Sequence, residues 1–146
     1  MKTTLTALAL VAGTALGMPA QAQDQKNLVT ILTAEDAQTQ LMAMVLTMNS
    51  VQAGATAQIL LCGPAGDLAL KEPPASATAA QEPMGMSPQG LMQTIMEKNG
   101  TKVEVCAIYL PNKGVGEEAL LDGITAAKPP VVAGALLADN TVVMSF

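Results

Sequence analysis

Residues 28–62 read LVTILTAEDAQTQLMAMVLTMNSVQAGATAQILLC. The opening LVTIL is a nearly continuous apolar run, as expected of a strand buried on both faces of a parallel sheet. From residue 36 to 51 the period changes. Leu41, Val45 and Met48 fall at i, i+4 and i+7, with Met44 and Val51 beside them, which predicts an amphipathic helix. Gly54 stands where a helix-closing glycine belongs. Residues 55–62, ATAQILLC, return to strand character and stop at Gly63-Pro64. A strand, a helix and a second strand in this order form a parallel crossover unit.

The pattern continues downstream. Ser87-Pro88 reads as an N-cap followed by a proline in the first helical turn. Leu91, Met92, Ile95 and Met96 supply the apolar stripe of that helix, and Asn99-Gly100 closes it. Residues 102–107 predict a third strand, 116–121 a short helix and 124–127 a short fourth strand. Pro129-Pro130 opens a helix through Leu137, and TVVMS at 141–145 is a terminal strand. This alternation predicts an α/β domain, a three-layer sandwich around a mostly parallel five-stranded sheet of flavodoxin-like kind. Residues 71–88, KEPPASATAAQEPMGMSP, have no period and predict a mobile loop, a lid or an insertion.

The N-terminus reads as an address. Lys2 precedes an uncharged apolar run from Leu5 to Leu16, Pro19 breaks it, and Ala20-Gln21-Ala22 has the small-x-small form of a signal-peptidase site. The expected division is a signal peptide at 1–22 and a single domain at 23–146, periplasmic or secreted after cleavage. Removing 22 of the 146 residues leaves 124, with six Lys against twelve acidic residues. That acidic balance, without any Arg, argues against nucleic acid, and no membrane association is expected after cleavage.

Composition also limits the chemistry. The chain has no His and no Trp, one Tyr and one Phe. A Ser-His-Asp triad, a His-based metal site and an imidazole base are therefore excluded, and no metal site or cofactor is expected. The reactive groups left are Cys62, Cys106 and some carboxylates. Function in an open α/β sheet collects beyond the carboxyl ends of the strands. Cys62 ends the second predicted strand and Cys106 the third. Thr33-Ala34-Glu35-Asp36 and the 71–88 loop leave the same edge. Cys106 is the main candidate and Cys62 a second thiol. Lys113, the nearest cation after Cys106, and Glu35 are candidate binding residues. Each cysteine also has the plainer reading of a small buried hydrophobe.

Several stretches resemble the DsrE/DsrF-like (YchN-like) family. They are VEVC at 103–106 with Leu110, Gly114-Val115, Leu120 and Gly123-Ile124. The Pro-initiated helix, Ala138-Asp139 and closing VVMSF are similar to that family's ending, and Gly54-Ala55 followed by Ile59-Leu60-Leu61 to its opening. The resemblance implies a small parallel α/β fold and a homo-oligomer, often a trimer or hexamer. It also implies a Cys at the position of Cys106, which in sulfur-relay members carries a persulfide between a donor and an acceptor protein. Relay members are cytoplasmic, whereas this chain opens on an export signal.

The reading that follows is an exported DsrE-like protein handling thiol or sulfane sulfur through Cys106, as a sulfur carrier or a redox thiol. The alternatives are a non-catalytic oligomeric binding module and a copper binder using the cysteines with Met84 and Met86. In the doubly wound strand order 2-1-3, the first strand separates the two cysteines by about 9.6 Å. A disulfide tolerates Cα separations only to roughly 6.8 Å. A resting Cys62–Cys106 disulfide is therefore not expected, and any bond between them would be transient.

Overall fold

The computed structural model describes residues 25–146, so the signal peptide expected at 1–22 and its expected cleavage point lie outside the described residues. Five strands form one sheet: β1 (Asn27–Leu32), β2 (Thr56–Leu61), β3 (Lys102–Val105), β4 (Thr125–Ala126) and β5 (Thr141–Ser145). Every pairing is parallel, in the order β4-β3-β2-β1-β5. The helices are α1 (Ala37–Gln52), α2 (Ala75–Thr78), α3 (Pro88–Asn99), α4 (Tyr109–Lys113) and α5 (Pro129–Leu136). The α/β class read from the alternation of periods is the observed one.

Local chemistry starts the two long helices where the sequence indicates. The Asp36 carboxylate accepts from the Thr39 N–H at 2.8 Å and from the Thr39 hydroxyl at 2.9 Å. The Thr39 N–H bond is the larger cause, and the hydroxyl the next, of an Asp36 pKa below the ordinary value. Ser87 caps α3 by accepting from the Gly90 N–H at 3.1 Å, with Pro88 in the first turn.

The strand order differs from the expected 2-1-3. Parallel crossovers are right-handed, so helices on one face of a sheet imply strands laid down in one direction. Helices α1 and α3 pack against each other on the same face. The chain therefore steps from β1 to β2 to β3 to β4 without turning back. The last crossover runs through α5, whose Val132 packs with Leu60 and Ala127 on the opposite face, and returns the chain past β1 to β5. This corrects the expected separation of the cysteines: β2 and β3 are neighbours, and nothing lies between them.

The core is concentrated between the sheet and the α1–α3 layer, where Leu32, Met44, Ile59, Leu61, Met92, Ile95, Val103 and Val105 are fully buried. Thr30 and Thr47 share a buried 2.7 Å hydrogen bond in that layer. The α5 face is thinner, with three buried apolar residues in its cluster. Residues 71–88 contain α2, which buries Ala77 against the main core, and an antiparallel bridge between Gln81 and Met86.

Candidate functional site

The site is built at the carboxyl ends of β2 and β3. Leu61 pairs with Val105 as the last residues of their strands. The ladder runs one residue further on each: Cys62 N–H donates to Leu32 O at 2.9 Å and Cys106 N–H to Leu61 O at 2.8 Å. Alternation along the strands turns both cysteines to the side opposite Leu61 and Val105. Their Cα atoms lie 5.1 Å apart and the sulfurs are joined as a disulfide. The expectation of no resting disulfide is overturned, because adjacent parallel strands bring Cα atoms within the range a disulfide spans.

The disulfide forms part of the wall of an open pocket of about 620 Å³. Its lining includes Glu35, Gly63, Pro64, Asp67, Tyr109 and Lys113. All four side chains singled out in the sequence, Cys106, Cys62, Lys113 and Glu35, thus line one cavity. Both cysteines are half-buried and Glu35 is exposed. A second, smaller cavity of about 130 Å³ shares Glu35, Pro64 and Asp67 and is bounded by Pro74, Ser76 and Ala77. Residues 71–88 therefore reach the same edge.

Gly63 turns the chain away from Cys62 with φ +55, a left-handed conformation that β-carbon-bearing residues seldom adopt. A 3₁₀ helix, Gly63–Ala69, then carries Asp67 into the pocket. A β-carbon at Gly66 would overlap the Tyr109 ring, so the ring lies directly against bare backbone.

Two polar groups meet at Asp67. The Tyr109 hydroxyl donates to Oδ1 at 2.6 Å, and Lys113 Nζ pairs with the same oxygen at 2.7 Å. Lys113 faces the pocket with its charge already paired to Asp67. Glu104, two residues before Cys106, is buried and lies outside the pocket lining. It accepts from Gln58 Nε2 at 2.7 Å and pairs with Lys102 Nζ at 2.8 Å, which compensates for its burial.

Asp67 and Tyr109 were not singled out from the sequence. Asp67 sits in a stretch that reads only as a turn, and Tyr109 in an apolar run. Helix α4 was missed as well. The run after Cys106 reads as closed by Pro111, whereas Pro111 occupies the third position of α4, in the first turn, where no N–H is required. The short helix expected over 116–121 is a single 3₁₀ turn at Glu117–Ala119.

The Tyr109 phenol is held above its ordinary value of 10.0, first by burial, then by donating to Asp67, whose charge opposes ionisation. The unfolded chain releases this proton near pH 10 and the folded chain only above it. The phenol's contribution to stability is therefore complete below pH 10 and lost as pH rises through the folded pKa. Tyr109 is the only Tyr and there is no Trp, so phenolate absorbance reads this group alone. The native protein should ionise at distinctly higher pH than the denatured chain, and Asp67→Asn should move the onset back down. Coincident curves for native and denatured protein would show that the contact with Asp67 is not kept.

No family model matches the chain, and no curated protein matches it. Among solved structures it is similar to the YchN protein from E. coli, at 17% identity and a TM-score of 0.61, covering 84% of this chain and 99% of that one. It is also similar to MTH1491, a protein of unknown function from Methanobacterium thermoautotrophicum, at 11% identity and a TM-score of 0.59, over 84% of this chain and 100% of that one. At these identities the likeness establishes a shared YchN-like fold.

Proposed function

We propose that the chain is an exported DsrE-like protein that handles thiol or sulfane sulfur at the Cys62–Cys106 pair, with Cys106 as the carrier. The carrying observation is the location of the pair. A bond whose only task is to staple the fold has no need to line an open cavity at the edge where α/β sheets bind their ligands. In the reduced protein, the Cys106 thiolate attacks the outer sulfur of a persulfide donor R–S–SH. Cys106–S–SH forms, and the donor leaves as R–S⁻. The thiolate is the nucleophile in this step. Because the thiolate is the attacking form, uptake should accelerate as pH rises.

The test uses reduced protein and a small-molecule persulfide, read by intact mass. The Cys62→Ser variant should gain one sulfur atom at Cys106, while Cys106→Ser gains none. Equal uptake by the two variants, or none by either, would remove the sulfur-handling reading.

A non-catalytic oligomeric module is favoured by a different observation. Val142 and Val143 on β5, Val131 on α5 and Leu137 just beyond it are exposed, and α5 packs on β5. Among the described residues β5 pairs only with β1, which leaves its outer edge open. Exposed apolar surface of this kind marks interfaces. We expect a homo-oligomer, a trimer or hexamer, by light scattering at micromolar concentration; a monomer mass would count directly against it. Export would be checked by N-terminal sequencing of periplasmic material, which should begin at Gln23.

A further inference from the structure

We propose that Cys62 is the resolving thiol of this site, so that the protein reduces sulfane sulfur to hydrogen sulfide and ends as the Cys62–Cys106 disulfide. The inference rests on the sulfane-sulfur reading above and specifies the fate of the sulfur. Three features of the pocket carry it.

The first is register. Leu61 and Val105 are paired, so Cys62 and Cys106 are the next opposed positions on adjacent strands, with Cα atoms 5.1 Å apart. A sulfur bound to Cys106 is therefore within reach of Cys62 without any change in strand pairing. The second is access: both cysteines line the same open pocket and are only half-buried. The third is electrostatic. Lys113 is the cation among the lining residues, and its Nζ is held by Asp67, while Glu35 and Asp67 are acidic. The pocket wall thus offers a persulfide anion no unpaired positive charge, while the neighbouring thiol is held at high effective concentration.

The chemistry balances in two steps. Cys106–S⁻ first takes the outer sulfur of R–S–SH, giving Cys106–S–SH and R–S⁻. Cys62–S⁻ then attacks the Cys106 sulfur. A Cys62–Cys106 bond forms, the bond from Cys106 to the outer sulfur breaks, and HS⁻ leaves with the electron pair. The two cysteine sulfurs each give up one electron, and the sulfane sulfur gains two. Thiolate attack on a sulfur–sulfur bond is the ordinary course of disulfide exchange. A dithiol reductant must then return the two electrons by exchange with the disulfide.

The experiment treats pre-reduced protein, freed of reductant, with one equivalent of a small-molecule persulfide. Released sulfide, free thiols and intact mass are followed together. Wild type should release one equivalent of sulfide, lose both thiols and carry no added sulfur at the end. Cys62→Ser should keep the sulfur on Cys106 and release sulfide only when a dithiol is added. Cys62→Ala provides a second variant, and circular dichroism confirms that each is folded. Wild type that retains its added sulfur as stably as Cys62→Ser, with no sulfide released, would overturn the resolving role and leave the carrier reading intact. No uptake by either Cys62 variant would overturn both.

Discussion

Reducing the Cys62–Cys106 disulfide should lower the unfolding free energy by about 4 kcal/mol, the chain-entropy value for cysteines 44 residues apart. The bond closes a loop that contains the 3₁₀ helix, α2, α3 and β3, so its loss releases a large part of the denatured chain. In denaturant titrations the midpoint should fall on adding reductant. Cys62→Ser and Cys106→Ser should each unfold near the reduced wild type, and neither should respond to reductant. A midpoint that ignores reductant in the wild type would mean that the two sulfurs are not joined in the resting protein. The native sheet pairing of β2 with β3 does not depend on the bond, since its four register pairs and the Cys106 N–H to Leu61 O hydrogen bond are backbone features. The reduced protein should therefore keep its fold under native conditions, as a thiol pair that cycles must.

The second large effect is expected from Leu61→Ala. Leu61 is fully buried at the end of β2, in the main cluster with Ile59, Val103 and the helices above them. Truncating a buried Leu costs about 3 kcal/mol, from lost burial and from the cavity left behind. Val132→Ala, in the small cluster under α5, should cost about 1.5 kcal/mol, in proportion to the two methyl groups removed. The measurement is the denaturant midpoint at constant slope. Equal losses at the two positions would contradict the asymmetry of the core, in which the α1–α3 face contributes most of the buried apolar surface.

The two faces also bear on assembly. A thin α5 layer beside an open edge strand leaves Val131, Leu137, Val142 and Val143 exposed, whereas the apolar residues between the sheet and the α1–α3 layer are buried almost completely. The catalytic proposal and the self-association proposal thus occupy different parts of the molecule. The cysteines lie at the carboxyl ends of β2 and β3, and these four exposed apolar residues lie on β5, on α5 and just beyond it. Variants at one can be read without disturbing the other.

The sequence by itself determined whatever depends on neighbours a few positions away. The stripe of Leu41, Met44, Val45 and Met48 placed α1, Ser87 marked the start of α3, and the alternation of periods identified a parallel α/β sheet. It also brought Cys62, Cys106, Glu35 and Lys113 to one edge, because each ends or follows a predicted strand. Only the tertiary structure decided which strands are neighbours, since that depends on which face each crossover helix packs against. The disulfide followed from that choice: a single interposed strand would have kept the sulfurs apart. Asp67 with Tyr109 is the same case at smaller scale. The two lie 42 residues apart, each reads locally as unremarked turn or apolar run, and their hydrogen bond exists only because β2 and β3 end side by side. Local periodicity follows from backbone geometry within one element, whereas pairing between elements is settled by how their apolar faces are buried together.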